Sequence, residues 1–265
     1  MHVDAPLLFF DSGIGGLSVL QVVRDVLPNA PVVYAADYAG MPYGTRSEAE
    51  IAARVPALLG RLVERYRPCL VTIACNTACT IALPHVRAAL DVPVVGTVPA
   101  IKPATLLTKT GVIGLLGTAA TIRQPYVDRL ESEFAGGMTL LRHAAPELVH
   151  AAEAKMRGQP VSHAIYLDAL LGLTSQAGGE RIDTIVLGCT HFPLVETELR
   201  EAAQGKIRFV DGAAGIARRI EDLTVDRKWP KTHADGVFVT TGSIEDLVSL
   251  RPALTSFGLT QINSL

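Results

Sequence analysis

Short apolar runs alternate with amphipathic stretches along most of the chain. Runs of this length, separated by segments with helical periodicity, are typical of repeated β–α units around parallel sheets. The pattern predicts an α/β protein with strands at residues 7–10, 31–36, 69–74, 92–96, 111–117, 184–188, 207–210 and 237–241.

The segment between the second and third predicted strands has the spacing of an amphipathic helix. Apolar side chains recur there at Ile51, Val55 and Leu58, as expected for a helix that packs one face against a sheet. Thr45 is followed three residues later by Glu48, which matches a capping box. The pattern therefore predicts that Thr45 caps the start of this helix.

The two halves of the chain follow a similar plan. Cys75 follows the apolar run "VTIA", and Cys189 follows "IVLG". Thr97 lies 22 residues after Cys75, and Asp211 lies 22 residues after Cys189; each closes another short apolar run. These parallels predict two similar α/β lobes with one cysteine at the mouth of each. The Pro-rich segment 97–103 is the best candidate for a crossing between them.

Polar groups stand at the ends of five predicted strands. Because ligands of open α/β sheets bind outside the carboxyl ends of the strands, the positions of these groups predict one site assembled from both lobes. The segments are "DSG" (11–13), "DYAGMPYGT" (37–45), "CNT" (75–77), "GTAAT" (117–121) and "CTH" (189–191).

Cys75 and Cys189 each stand where a predicted strand turns into a helix. A helix N-terminus favours the thiolate form of a cysteine, and a free thiol has a pKa of about 8.5. Two such thiols on opposite sides of a small substrate suit inversion of a stereocentre. One thiolate removes a proton from carbon, and the other thiol returns a proton on the opposite face.

The four cysteines also admit other interpretations. A buried free cysteine usually only packs, which is the preferred interpretation for Cys69 and Cys79. A zinc site built from Cys75, Cys79 and His85 does not match the spacing of structural zinc sites. A redox thiol protein is a third reading, weakened because the C-x-x-C motif is absent.

The glycines of "DSGIGGLS" (11–18) do not fit a dinucleotide-binding motif. They predict instead a tight strand-to-helix turn whose N–H groups meet an anionic ligand such as a carboxylate. Asp11 fits either a helix cap or a ligand for a substrate ammonium group, and both remain open. His191, next to the "CT" of residues 189–190, is a candidate substrate ligand or proton-transfer aid.

Composition narrows the functional classes. The chain has 265 residues, 49% of them hydrophobic and 19% charged, with a net charge of −2. No run of basic residues interleaved with aromatics supports nucleic-acid binding, and no apolar stretch reaches the roughly 18–20 residues of a membrane helix. Four cysteines without an export signal favour free thiols in a reducing cytoplasm.

Five motifs, in order and spacing, resemble the glutamate racemases of the aspartate/glutamate racemase family. They are "FDSGIGGLSVL", "ADYAGMPYG", "IACNTACTIALPHVRAALDVPVVGTVPAIKPA", "GLLGTAATIRQPYV" and "VLGCTHFPL". The resemblance implies a bacterial enzyme that interconverts L- and D-glutamate for peptidoglycan, with no cofactor and no metal. It implies Cys75 and Cys189 as the catalytic acid/base pair, with Cys75 handling the D-enantiomer and Cys189 the L-enantiomer.

The resemblance also implies a set of residues that contact the amino acid, with three further positions near the site. The substrate-binding set is Asp11, Ser12, Tyr43, Gly44, Asn76, Thr77, Thr190 and His191, and the further positions are Asp37, Thr118 and Thr121.

The fold implied by the resemblance is two pseudosymmetric lobes with the site in the cleft between them. Their expected extents are residues 1–97 plus 210–265 and residues 98–209, and a homodimer is expected. Aspartate racemase is the nearest alternative, but its relatives typically carry an acid after the second "CT", where this chain has His191. A catalytically silent amino-acid-binding protein is the alternative from another class.

Overall fold

The computed structural model describes residues 4–232 and 235–265 of the chain. Its strands are β1 (Leu7–Asp11), β2 (Val32–Ala36), β3 (Leu70–Ile73), β4 (Val94–Gly96), β5 (Val112–Gly117), β6 (Thr139–Ala144), β7 (Thr184–Leu187), β8 (Arg208–Val210), β9 (Gly236–Thr240) and β10 (Leu259–Ser264).

Helices connect most consecutive strands. The α-helices are α1 (Leu17–Val26), α2 (Glu48–Tyr66), α3 (Asn76–Ala89), α4 (Ile101–Leu107), α5 (Ala119–Ile122), α6 (Pro125–Phe134), α7 (Glu147–Met156), α8 (Ala164–Thr174), α9 (Glu196–Ala202), α10 (Ala213–Leu223) and α11 (Arg251–Ser256). Short 3₁₀ helices lie at Tyr43–Thr45, Gly179–Arg181, Phe192–Val195 and Glu245–Leu250.

The strands form two sheets in which neighbouring strands run parallel. The first has the order β10-β9-β2-β1-β3-β4, and the second β6-β5-β7-β8. Strands β1, β2, β3, β5 and β7 are buried along their whole length, because helices cover both faces of each sheet, as parallel sheets require. The predicted α/β class with two sheet-based lobes is confirmed.

All eight predicted strands are present within one or two residues of their expected bounds, but β6 and β10 were missed. Both lie at the edge of a sheet. Their sequences, "TLLRHA" and "LTQINS", are only partly buried. An edge strand needs no continuous apolar run, so the signal that predicted the central strands is absent from these two.

The C-terminal segment completes the first sheet, since β9 pairs with β2 and β10 pairs with β9. Strands of the first sheet therefore come from residues 7–96 and 236–264, and those of the second from residues 112–210. The expected lobe boundaries at residues 97/98 and 209/210 stay a prediction, with the second falling inside β8. Within the described residues, no helix is both long and apolar enough to cross a membrane.

The predicted start of α2 was wrong by two residues. Ser47 is the N-cap, and its hydroxyl accepts a hydrogen bond from the backbone N–H of Glu50 at 3.2 Å. Thr45 belongs instead to the preceding 3₁₀ turn, where its hydroxyl donates to the carbonyl of Pro42. The sequence contains two overlapping capping-box patterns, Thr45 with Glu48 and Ser47 with Glu50, and the helix is capped by Ser47 of the second.

Replacing Ser47 with alanine should lower the free energy of unfolding by about 1 kcal/mol, because the first turn of α2 loses its cap. Urea denaturation measures this change. Thr45→Ala is the matched control and should have a clearly smaller effect. A larger loss in Thr45→Ala than in Ser47→Ala would contradict the assignment of the cap.

Candidate active site

The carboxyl ends of β1 and β3 in the first sheet face those of β5 and β7 in the second. Between them lies the central cavity, of about 20 Å³. Both predicted catalytic cysteines line it, although they come from different sheets. Its lining residues are Ser12, Pro42, Tyr43, Gly44, Cys75, Asn76, Thr77, Thr118, Val149, Cys189, Thr190 and His191.

The central cavity thus brings together every predicted site residue except Asp11, Asp37 and Thr121. Those three side chains are fully buried and lie behind the lining residues. Pro42 and Val149 line the cavity but were not predicted, since an isolated proline or valine carries no chemical signal in a sequence.

Cys75 ends the connection from β3 and is the N-cap residue of α3. Its sulfur lies 3.9 Å from the hydroxyl of Ser12. Burial raises the pKa of the Cys75 thiol well above its usual range, and the nearby carboxylate of Asp11 raises it further. The backbone N–H of Ala78 at the helix start has the opposite effect but is outweighed. The net direction is therefore opposite to the one expected from the helix N-terminus alone.

Cys189 lies two residues after the end of β7. The expectation that it stands at the start of an α-helix is wrong, because the chain first forms the 3₁₀ turn Phe192–Val195, with His191 as its N-cap residue. The polarising group next to this sulfur is instead the imidazole of His191, whose Nδ1 atom lies 3.9 Å away.

Glu153 on α7 contacts the site residue His191 and was missed by the sequence analysis. Its Oε1 atom lies 3.2 Å from Nε2 of His191 and accepts a hydrogen bond from the backbone N–H of Ile14 at 3.1 Å. Its Oε2 atom accepts one from the hydroxyl of Tyr38 at 2.9 Å. The side chain is 7% exposed, so these bonds replace the water that a buried carboxylate loses.

Glu153 and His191 adjust each other's charge. Burial alone lowers the pKa of His191, but the hydrogen bonds to Cys189 and Glu153 outweigh it, and the net pKa lies well above the usual value. Burial alone raises the pKa of Glu153, but the bonds from His191, Ile14 and Tyr38 outweigh it and lower the pKa. Both shifts favour the charged forms, an imidazolium next to a carboxylate.

The position of Glu153 on its helix is the one sequence feature that could have identified it. It lies on the same face of α7 as Val149, four residues earlier, and Met156, three residues later. An acidic residue on an otherwise apolar helix face is either paired or functional, because Glu is seldom fully buried without a partner.

Asp11 lies beneath the central cavity. Its two carboxylate oxygens accept hydrogen bonds from the hydroxyl of Thr190 at 2.9 Å and from the backbone N–H of Gly13 at 3.0 Å. Burial raises the pKa of Asp11, although His191 opposes this. Helix α1 begins only at Leu17, so the helix-cap alternative is wrong. That Asp11 contacts the substrate stays a prediction.

Asp37 fixes the loop that carries Tyr43, whose side chain lines the central cavity. Its carboxylate accepts hydrogen bonds from Arg54 at 2.6 and 2.7 Å, from Tyr43 at 2.5 Å and from Thr241 at 2.6 Å. Burial alone raises the pKa of Asp37, but these bonds outweigh it and lower the pKa. The network holds the ring of Tyr43 in the cavity wall and ties it to the C-terminal segment.

Three threonine hydroxyls form a buried triangle across the cleft. Thr77 of α3 lies 3.0 Å from Thr118 and 3.3 Å from Thr121, and Thr118 donates to Thr121 at 3.0 Å. Gly44 packs directly on this triangle, since a Cβ atom there would lie 3.0 Å from the Cβ of Thr118. Both predicted further positions at 118 and 121 therefore adjoin the site.

The other two cysteines lie outside the central cavity. Cys79 is buried and donates to the carbonyl of Ile73 at 3.1 Å, while its sulfur accepts from the N–H of Thr97 at 3.1 Å. Burial raises the pKa of Cys79 to about 12, which fits the packing interpretation. Cys69 is half-buried at the start of β3. Within residues 4–232 and 235–265, no three His, Cys, Asp or Glu side chains are grouped to hold a metal ion.

Glu153→Gln should lower the pKa of His191, because the substitution removes the carboxylate that stabilises the imidazolium while it keeps the size of the side chain. The ring signals of His191, followed by NMR over a pH series, measure the change. Glu147→Gln, at the exposed start of the same helix, is the matched control and should leave the titration unchanged. An unchanged His191 titration in Glu153→Gln would show that Glu153 does not hold the charge.

Comparison with known proteins assigns this chain to a family. Residues 18–220 match the model of the Asp/Glu/Hydantoin racemase family. A glutamate racemase from Sphingopyxis alaskensis is 58% identical over 262 residues, which cover 99% of this chain and 98% of that protein.

Similar solved structures support the same family assignment. The crystal structure of Escherichia coli glutamate racemase in complex with L-glutamate and the activator UDP-MurNAc-Ala has a TM-score of 0.90 at 39% identity and covers 98% of both chains. A glutamate racemase isoform from Bacillus anthracis has a TM-score of 0.83 at 27% identity and covers 100% of this chain and 97% of that one. The chain belongs to the Asp/Glu/Hydantoin racemase family, and these full-length relatives are glutamate racemases.

Proposed function

We propose that this chain is a glutamate racemase that works without a cofactor, with Cys75 and Cys189 as the two acid/base groups. The observation that carries the proposal is that two thiols from different lobes line one small cavity surrounded by hydrogen-bond donors. A substrate α-carbon held between them has one sulfur on each side. Removal of its proton by one thiolate and return of a proton by the other thiol inverts the stereocentre.

The α-proton of glutamate is very weakly acidic, so its removal is the most demanding step of the reaction. Removal of the proton gives a carbanion whose negative charge spreads onto the α-carboxylate. Aligned hydrogen-bond donors stabilise that charge in the transition state. Ser12, Asn76, Thr77 and Thr190 line the cavity and offer hydroxyl and amide donors. Two of these hydroxyls are already oriented by partners: Thr190 by Asp11, and Thr77 by the threonine triangle.

The two sulfurs have unequal surroundings, which supports different resting states. Cys75 is next to the carboxylate of Asp11, and burial and that charge both raise its pKa, so Cys75 rests as the thiol that returns a proton. The sulfur of Cys189 lies instead 3.9 Å from Nδ1 of the His191 imidazole, which can stabilise negative charge on that sulfur. This arrangement suits proton removal from L-glutamate at Cys189, in line with the roles that the family resemblance implies.

Glutamate is favoured over aspartate because His191, rather than an acid, follows the second "CT" and because the full-length relatives are glutamate racemases. The imidazolium of His191 contributes positive charge near an acidic substrate, whereas a carboxylate there would repel it. A silent binding protein is disfavoured, because both thiols and their oriented neighbours are intact.

The biological setting follows from the product. D-glutamate made in the cytoplasm would supply peptidoglycan synthesis. We also expect a homodimer.

Racemisation of glutamate in deuterated water tests the two-thiol mechanism. The newly formed enantiomer should gain α-deuterium while unreacted substrate gains little, because each thiol exchanges its own proton on its own face. Cys75→Ser and Cys189→Ser should each lower net racemisation by about 100-fold or more, since one proton transfer loses its acid or base. NMR and optical rotation measure the two quantities.

Cys79→Ser is the matched control, because Cys79 lies outside the central cavity, and it should retain racemase activity. Equal early labelling of both enantiomers would mean that one base serves both faces. The same assays with aspartate test the substrate: a kcat/KM equal to or above that for glutamate would overturn the assignment.

We also propose that a nucleotide-sugar anion activates this chain, as UDP-MurNAc-Ala is the activator in the Escherichia coli complex. The supporting feature is a cavity of about 790 Å³ between α4, α6 and α10, within the size range of ligand pockets. We call it the hinge cavity, because its wall includes both segments where the chain crosses between the sheets, near residues 95–100 and 210–212. Its wall carries the basic side chains of Lys102, Arg129, Arg218 and Arg219, which suit a diphosphate.

UDP-MurNAc-L-Ala should raise kcat/KM for glutamate by about fivefold or more, a typical coupling between two sites. The double variant Arg218→Ala/Arg219→Ala should lose most of this activation while its basal activity persists. Arg251→Ala, exposed on α11, is the control and should respond like the wild type. No activation of the wild type would reject the regulatory proposal, and full activation of the double variant would reject the hinge cavity as its site.

A further inference from the structure

Thr97 and Asp211, each 22 residues after a catalytic cysteine, meet at a second small cavity. This rear cavity has a volume of about 10 Å³ and lies behind Cys189. Its lining residues are Ser18, Val19, Asn76, Thr97, Leu187, Cys189, Thr190, Pro193, Asp211, Gly212 and Ala213. The sequence parallel between the two halves therefore has a spatial counterpart, which the substrate-binding role does not explain.

The rear cavity suits one water molecule. A buried water needs about 10–15 Å³ and two to four polar partners, and Asn76, Thr97, Thr190 and Asp211 supply such partners. Asn76 is 6% exposed, and its Oδ1 atom is buried with no hydrogen-bond partner among the described residues. Because Asn76 lines both the central and the rear cavities, its amide forms part of the wall between them.

Asp211 connects the rear cavity to a larger space. It lines the rear cavity together with Cys189 and also lines the hinge cavity. Its Oδ1 atom accepts a hydrogen bond from the backbone N–H of Ala213 at 2.7 Å, which fixes the side chain at the start of α10. A carboxylate with one oxygen held in this way and contact with both cavities is placed to carry a proton between them.

The two-thiol reaction creates a need for such a path. Conversion of L- to D-glutamate leaves Cys189 as a thiol and Cys75 as a thiolate, which is the form that accepts D-glutamate. Before the next L-glutamate reacts, Cys189 must lose a proton and Cys75 must gain one. The central cavity holds the amino acid during each turnover, so a second route that reaches Cys189 from the rear cavity lets its proton leave without passing the bound amino acid.

We propose that Asp211 is the proton relay that resets Cys189 between turnovers, through a water in the rear cavity. The thiol of Cys189 gives its proton to this water, which passes a proton to the Asp211 carboxylate. Asp211 then releases it to solvent in the hinge cavity, and Cys75 takes a proton from water that enters after the product leaves. The reverse sequence resets the enzyme for D-glutamate. The relay rests on the two-thiol mechanism proposed above.

Asp211→Asn tests the relay, because the asparagine oxygen can still accept the hydrogen bond from the N–H of Ala213 but the side chain cannot carry the proton. Two rates are compared at the same total glutamate concentration. The first is net racemisation from pure L-glutamate, which needs a reset in every turnover. The second is transfer of ¹⁴C label from L- to D-glutamate in a racemic mixture, which needs none, because D-glutamate returns the enzyme to its starting form. The ratio of net rate to label-transfer rate should fall about tenfold in Asp211→Asn.

Asp222→Asn, on the exposed face of the same helix, is the matched control and should keep the wild-type ratio. Added formate, small enough to enter the hinge cavity and able to carry a proton, should partly restore the net rate of Asp211→Asn. Equal loss of both rates would show that Asp211 acts only through structure, and an unchanged ratio would show that Cys189 is reset by another route. Either result leaves the two-thiol mechanism intact, since that mechanism is tested separately by the labelling pattern of the wild type.

Discussion

Two buried carboxylates between the lobes, Asp11 and Glu153, set the constraint on which the site depends. A buried charge is costly unless it is paired or hydrogen-bonded, and each of these takes partners from the opposite lobe. Asp11 accepts from Thr190, and Glu153 accepts from the N–H of Ile14 and the hydroxyl of Tyr38. Contact between the lobes thus satisfies both charges, and the same two carboxylates orient Thr190 and His191, which directly follow Cys189.

The same two charges make the thiols unlike each other. The negative charge of Asp11 raises the pKa of Cys75, while the imidazolium that Glu153 stabilises faces Cys189. A pseudosymmetric scaffold therefore carries an asymmetric charge distribution, and the asymmetry separates acid from base at the start of a turnover. Repeated net turnover in one direction then depends on how readily the protons on the two sulfurs are exchanged, which directs attention to the space behind Cys189.

The two segments where the chain crosses between the sheets contact the surroundings of the catalytic cysteines. Cys79, one helical turn after Cys75, accepts a hydrogen bond from the N–H of Thr97, where the chain leaves the first sheet. Asp211, where the chain returns, lines the rear cavity with Cys189. These two segments therefore contact residues next to each thiol, which gives a ligand in the hinge cavity a short physical route to the chemistry.

The sequence by itself determined the central strands, the two-lobe plan and most of the cavity lining. Buried parallel strands need continuous apolar runs, and their carboxyl ends must carry the polar groups. Only the tertiary structure decided the edge strands β6 and β10, whose half-exposed positions need no apolar pattern. It also decided the role of Glu153, which lies 38 residues before His191 in the chain, and the direction of the Cys75 pKa. Burial and charges brought from distant segments set these two properties, and no local spacing encodes how deeply a group is buried or which charge faces it.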